Sequence, residues 1–267
     1  MNDTEYRALP GITATAIKAG ATSMLAMRAA MQGVSKADSP AMRWGRLVHL
    51  AILEPSELPK RTAVWTEGRR AGKAWEAFCA SLGDREHVTP DEMAELLATS
   101  AAVHANHDAH RLIEATAHEV LVKWMDATLG PCKARLDGVG KCGVLEIKTA
   151  RNVAPRAFAS QFFSMGYPLQ LGWYGWAAEQ IDGYESAQTH VVAVSNTPPI
   201  DCVVYRVPSL VLERGRAEAI AIARRYRVCE QLGVFPGVDE GNGVVDLEVP
   251  AWAGGDTVII EEGASNE

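Results

Sequence analysis

No run of 18 consecutive apolar residues occurs in this sequence, so no membrane-spanning helix is expected. Cysteine is scarce and scattered: Cys79, Cys132, Cys142, Cys202 and Cys229 lie far apart and include no Cys-x-x-Cys pair. That spacing excludes a disulfide framework and a zinc knuckle, and points to free thiols in a reducing compartment. The opening residues Met1-Asn2-Asp3-Thr4-Glu5 lack the basic start and apolar run of a signal peptide, so a cytoplasmic location is expected. No internal repeat or low-complexity tract is present. Lys and Arg are absent from residue 239 onward, where eight acids fall. The net charge of −7 therefore belongs to the tail, and residues 1–238 carry only about +1. A near-neutral body can still hold a basic channel, so the acidic total does not exclude a nucleic-acid partner.

What is present suits an ordinary globular fold. The chain has 267 residues, 48% of them hydrophobic, enough for one substantial core. Residues 10–33 read as a short helical region with Thr13 or Thr15 as its cap, 33–40 as a loop, and 41–53 as a helix stopped at Glu54-Pro55. Residues 55–72 read as irregular. Helices are predicted over 73–81 and 90–116, the second started by Thr89-Pro90-Asp91-Glu92. Three β-rich runs follow, near 119–125, 132–139 and 143–148, with turns at Gly130-Pro131 and Gly140-Lys141; they read as an antiparallel meander. Helices at 155–164 and 168–182, strands at 188–195 and 201–206, and a long helix over 208–232 complete the pattern. This is a mixed α/β arrangement. The expected organisation is one domain over 1–235, with a helical portion at 10–116 and a core at 117–235, then a partly ordered acidic tail at 236–267.

Asp137 and Glu146 carry the chemistry. They lie on adjacent predicted strands, and Glu146 and Lys148, two residues apart on one strand, share a face. Two carboxylates and an ammonium thus converge at one end of a sheet. Phosphodiester hydrolysis needs a hard cation to neutralise the phosphate and acidify a water. Mg²⁺ takes oxygen ligands, which Asp137, Glu146 and the Ile147 carbonyl can supply. Lys148 can then orient water or stabilise developing charge. The bland alternative is an exposed Glu146–Lys148 salt bridge. Gly45 and His49, four apart on one helix face, offer close approach and a metal-reaching imidazole, or else ordinary helix packing. Gln170 and Tyr174, also four apart, offer an amide and a phenol to a phosphate or water, or else the polar edge of an amphipathic helix.

In this order, Gly45-x-x-x-His49, Asp137, Glu146-x-Lys148 and Gln170-x-x-x-Tyr174 resemble the PD-(D/E)xK nuclease superfamily. Within it they resemble the RecB-like exonucleases, and most of all phage and prophage enzymes of the exonuclease VIII (RecE) type. Segments beyond the motifs share the likeness: Tyr6–Thr13, Met42–Pro55, Gly72–Trp75, Cys132–Asp137 and Gly166–Gln170. The resemblance covers about residues 6–235. It implies a restriction-endonuclease-like fold, a central mixed sheet flanked by helices. It implies Mg²⁺ or Mn²⁺ on Asp137, Glu146 and the Ile147 carbonyl, with His49 near a second metal position. Lys148 is then the water-activating residue, and Gln170 and Tyr174 lie near the scissile strand. Glu119 stands at a commonly acidic position and takes a supporting role, as does Gly45. Two features depart from the pattern: Glu146 stands where Asp is frequent, and Arg46 where a small residue is expected, so Arg46, like Arg135, is a candidate phosphate contact. The implied activity is digestion of linear duplex DNA, 5′ to 3′, leaving 3′ overhangs for a single-strand annealing partner of the RecT-like kind. The implied assembly is a ring of three or four copies, in a phage or prophage setting within a bacterial host.

Other signals point elsewhere. His104-x-x-His107-x-x-His110 suggests a metal, but positions six apart share a helix face poorly. Cys202 and Cys229 are too far apart for an iron–sulfur cluster, and none is expected. The seven tryptophans read as packing residues. Arg214, Arg216, Arg224, Arg225 and Arg227 either line a DNA channel or are solvated. Two other functions stay open: a single-strand, flap or repair endonuclease of the same fold, and a non-catalytic DNA-binding protein on a nuclease scaffold.

Overall fold

A computed structural model describes residues 3–34, 39–185, 188–240, 243–244 and 246–248. Most of the acidic tail lies outside the described residues. The helices are α1 (Asp3–Ala8), α2 (Ala14–Gly20), α3 (Met24–Met31), α4 (Pro40–Leu53), α5 (Leu58–Arg61), α6 (Lys73–Ser81), α7 (Pro90–Ala105), α8 (His107–Glu114), α9 (Pro155–Ser164), α10 (Tyr167–Ala178) and α11 (Ser209–Leu232). The strands are β1 (Thr62–Val64), β2 (Glu86–Val88), β3 (Thr116–Asp126), β4 (Gly130–Gly140), β5 (Gly143–Ala150), β6 (Thr189–Ser195) and β7 (Cys202–Arg206).

Side-chain caps set most of the helix starts that matter. Ser39 accepts from the Met42 amide with Pro40 in the first turn, and Thr89 and Glu92 form a reciprocal capping box. Caps also explain two departures from the predicted boundaries. The stretch 10–33 is two helices, because Ser23 accepts from Ala26 N at 3.0 Å and starts a new turn. The stretch 90–116 breaks at Asn106, whose side chain accepts from Ala109 N at 3.1 Å and caps α8. Residues 55–72, read as irregular, contain α5 and β1, and β1 pairs in parallel with β2.

The main sheet has the order β3-β4-β5-β6-β7. The expected meander forms β3, β4 and β5; β6 then runs parallel to β5, and β7 antiparallel to β6. The sheet is therefore mixed and flanked by helices, as the motifs implied. One face packs on α2, α3, α10 and α11 through Ala134, Leu136, Val144 and Trp173. The other packs on α4, α7 and α8 through Leu145, Ile147, Val192 and Val194. Burial on both faces explains the near-continuous apolar run of β6.

The N-terminal segment is tied to the sheet as well. Ile12 N donates to Pro131 O and Lys133 N to Ile12 O, each at 3.0 Å. The Lys133 ammonium, 3% exposed as a residue, donates to the carbonyls of Tyr6 and Leu9 at 2.7 and 2.5 Å. These bonds satisfy an otherwise costly buried cation, and they bring α2 beside the two acids.

Candidate active site

The site occupies a gap between β4 and β5. Their ladder is short: Gly138 pairs with Leu145, Val139 with Val144 and Gly140 with Gly143. Beyond Leu145 the strands part, and β5 continues on β6 alone. The Ile147 amide, released from the ladder, donates to Asp137 Oδ2 at 2.8 Å. A buried N–H must find an acceptor, so this bond fixes the Asp137 carboxylate inside the gap.

The two acids approach from opposite faces. Asp137 alternates with Leu136, which packs on the α10 layer, so Asp137 turns toward α4. There His49 Nδ1 stands 3.4 Å from Asp137 Oδ2. Glu146 alternates with Leu145, which packs on the α4 layer, so Glu146 turns toward α10. There Gln170 Nε2 donates to Glu146 Oε1 at 2.6 Å, and the Lys148 ammonium donates to the same oxygen. Lys148 also lies 4.8 Å from the centre of the Tyr167 ring.

Charge in this enclosed space is strongly coupled. Burial would raise the Asp137 carboxyl, but the His49 charge and hydrogen bond and the Lys148 charge hold it below the usual range. Burial would lower the His49 imidazole, but Asp137 outweighs it and the value stands above the ordinary one. Burial and then Asp137 push Glu146 above the carboxylate range, against the pull of Lys148. Burial and the two acids raise the Tyr174 phenol well above its usual value, so Tyr174 is a proton-bearing donor; it bonds to Gln170.

Glu119 sits closer to this centre than its supporting role suggested. The β3–β4 register places it opposite Asp137, between the pairs His118–Gly138 and Val120–Leu136. Its φ of 51° is left-handed, costly for a non-glycine residue. Burial and Asp137 raise its carboxyl, while Arg135, 3.2 Å away, lowers it. Ligand atoms of His49, Glu119 and Asp137 all lie within 4.8 Å of one another.

These residues fit a divalent cation. Two carboxylates placed directly across a ladder repel each other, and a bound cation would remove that cost. In addition, Glu146 Oε2 is buried with no hydrogen-bond partner among the described residues, an expensive arrangement that a cation would relieve. Among the described residues the donors form two groups: His49, Glu119 and Asp137 on one side, and Glu146 with Lys148 and Gln170 on the other. Ile147 contributes its amide to Asp137.

The remaining candidates are placed as follows. A Cβ built on Gly45 would meet nothing within 4 Å, so packing among the described residues does not demand glycine there. Arg46 pairs with Glu86 at 2.9 Å, and Arg135 with Glu119; neither carries its charge unopposed. His104 and His110 meet at 3.3 Å, and His104 also bonds Ile52 O at 3.1 Å, so these two rings tie α7 to α8 and α4. Lys18, on α2, was missed. Its ammonium donates to Gln170 Oε1 at 3.3 Å, and burial followed by the Lys148 charge lowers its pKa to about 8. No short motif marks it, because only the N-terminal segment's attachment to β4 brings it here.

Residues 14–243 match the family described as a PDDEXK-like domain of unknown function (DUF3799). Among solved structures, the chain resembles a protein from Eubacterium rectale provisionally named an exonuclease: the TM-score is 0.61 and the identity 10%, over 94% of this chain and 96% of that one. At that identity the likeness concerns the fold. A second solved protein, SSO0001, aligns only loosely, with a TM-score of 0.39 and 13% identity over 82% of this chain and 81% of that one. No curated protein matches the sequence significantly.

Proposed function

The chain belongs to the PDDEXK-like DUF3799 family, within the PD-(D/E)xK nuclease superfamily, and on that premise we propose that it is a metal-dependent exodeoxyribonuclease acting on the ends of linear duplex DNA. The observation that supports this most is the gap between β4 and β5. It gathers Asp137, Glu146 and Lys148 and leaves a buried Glu146 oxygen without a partner among the described residues. A binding module gains nothing from burying acids where phosphate must approach.

In this reading Asp137, Glu146, Glu119 and His49 would hold Mg²⁺ or Mn²⁺, with the Ile147 carbonyl as a further donor. The bound cation would neutralise phosphate charge and acidify a water. The chain's own residues do the rest. Lys148, charged and anchored on Glu146, orients the attacking water and faces the charge that develops on phosphorus-bound oxygens. Gln170 holds the Glu146 carboxylate through its amide nitrogen, and Tyr174 keeps its proton to donate to a strand phosphate. The open space at Gly45 lets the backbone of the strand approach α4. Burial of Glu146 and part-burial of Asp137 and Lys148 limit access of bulk water and strengthen these interactions.

The finer reading extends the resemblance. It is digestion from 5′ to 3′ leaving 3′ overhangs for phage recombination, with a RecT-like annealing partner, by a ring of three or four copies. Purified protein incubated with end-labelled linear duplex tests both levels, with Mg²⁺, with Mn²⁺ and with EDTA, beside Lys148→Ala. Metal-dependent loss of label from 5′ ends, absent in the variant, is the expected result. Metal-dependent cleavage of closed circles at the same rate would replace exonuclease with endonuclease. No hydrolysis with either metal would remove the nuclease reading.

A further inference from the structure

Beside the gap runs an open cleft of about 600 Å³, walled by α2, the α9–α10 turn and the start of α11. Its lining carries two cations, Lys18 and Arg214, against one acid, Glu218. Its rim presents apolar side chains to water: Phe163 is 60% exposed, Met165 55% and Leu210 55%. The cleft joins the acids through one side chain, since Lys18 donates to Gln170 and Gln170 donates to Glu146. Cations beside exposed aromatic and apolar groups are what a single nucleic-acid strand uses: phosphates meet the charges and bases stack on the ring.

We propose that this cleft binds the single strand adjoining the scissile phosphodiester, with Lys18 and Arg214 on its phosphates and Phe163 stacked on a base. The proposal rests on the nuclease reading for what lies at the Glu146 end, and it adds a substrate path that none of the superfamily motifs marks. Three observations support it. Lys18 and Arg214 form no ion pair among the described residues, so their charges are available to phosphate. Burial and Lys148 lower the Lys18 pKa to about 8, a disfavoured charge that an adjacent phosphate would stabilise. The crossing of α10 and α11 sets the width of the cleft. A Cβ on Gly172 would overlap the backbone of Gly215 and Arg216, and one on Gly215 would overlap Pro168, so the two helices touch directly and carry Arg214 next to the α9–α10 turn.

The test uses the full chain in EDTA, where no hydrolysis is expected, and a fluorescent twelve-residue oligothymidylate followed by anisotropy across a salt series. Phe163→Ala is expected to weaken binding about tenfold, the scale of one lost base stack. Arg214→Gln is expected to weaken it and to lower the salt slope by about 0.7, the share of one phosphate contact on a single strand. Glu218→Lys is expected to tighten binding. Lys123→Gln, which removes an exposed cation from β3 away from the cleft, is expected to leave it unchanged. Wild-type affinity in both Phe163→Ala and Arg214→Gln overturns the proposal and gives the apolar rim another occupant, such as a protein. An equal loss in Lys123→Gln, or no binding by the wild type, overturns it too. The companion cleavage assay separates the two readings: cleft-dependent binding without hydrolysis removes the nuclease and keeps the cleft, whereas hydrolysis with cleft variants that bind normally does the reverse.

Discussion

Asp137 and Glu146 reach one gap from opposite faces of the sheet, and the chain treats their charges differently. On the α4 side, Asp137 accepts from the Ile147 amide and stands beside His49, so its carboxylate is fixed and held ionised. On the α10 side, Glu146 places one oxygen on Lys148 and Gln170 and leaves the other buried without a partner among the described residues. In the first arrangement both Asp137 contacts, to the Ile147 amide and to His49, favour the ionised carboxylate. The second is costly, and under the proposed function a bound cation would relieve it. The lesson is that one acid is held in place by hydrogen bonds while the other keeps an oxygen that the described residues leave unsatisfied. Glu119 faces Asp137 across the ladder on the α4 side.

The sharpest way to break this comparison is to remove one group from each face. Asp137→Asn keeps an acceptor for the Ile147 amide, and Lys148→Ala frees Glu146. Each is expected to cut the hydrolysis rate by about 10³-fold, the scale of losing a preorganised charge contact, with circular dichroism unchanged. A rate near wild type in either variant would remove that residue from the chemistry.

Next in size is a packing change on the α10 side alone. Gly172→Ala forces α10 and α11 apart, because the new Cβ would overlap the backbone of Arg216. It is expected to cost about 2 kcal/mol in urea unfolding, within the usual range for overpacking. Unaltered stability would show that the helices part easily and that the glycine crossing does not set the cleft.

Gln170→Ala comes third. It removes one of the two groups on Glu146 Oε1 and leaves Lys148 in place. The hydrolysis rate is expected to fall about tenfold, roughly the value of one hydrogen bond to a charged group. A loss as deep as that of Lys148→Ala would mean that the amide, rather than the ammonium, holds the acid.

A pH series in the absence of metal sharpens the comparison further. His49 has a raised folded-state value, so its stabilising contribution is complete below its ordinary 6.5 and fades as pH rises through the folded value. Glu146 and Glu119 are raised above the ordinary 4.5, so the native state binds more protons than the unfolded chain and loses stability as pH climbs past that value. All three shifts act in one direction. In EDTA the Tm is expected to fall between pH 6 and pH 8, and saturating Mn²⁺ should remove most of the fall. A flat Tm in EDTA would contradict the coupled arrangement of these groups.

The smallest effect is expected at Arg46, on α4 but already paired with Glu86. Both partners are about one-third exposed, so solvent screening limits the pair to about 0.5 kcal/mol. Arg46→Ala should change urea stability by no more than that and leave hydrolysis within about twofold. A large rise in KM would instead give Arg46 the phosphate contact that its place in the first motif suggested.

Local residue patterns were enough for much of this protein. Thr89-Pro90-Asp91-Glu92 specified the start of α7 by capping chemistry, the β-rich run 132–139 between the Gly130-Pro131 and Gly140-Lys141 turns specified a strand, and the spacing Glu146-x-Lys148 specified two side chains on one face. Periodicity and caps depend on neighbours within a few residues, so sequence alone determined the meander, the order of the helices and the chemical types at the centre. It could not separate a helix from its neighbour where a single side chain, Asn106 or Ser23, captured the next amide. Nor could it show that β4 and β5 part after Leu145, that Asp137 and Glu146 therefore meet from opposite faces, or that Glu119 stands across from Asp137. Lys18 is more than a hundred residues from either acid in the chain, and it reaches Gln170 only because the N-terminal segment is bonded to β4 and Lys133. Those decisions belong to the tertiary structure, because strand register, layer packing and the burial of charge depend on contacts between residues distant in sequence.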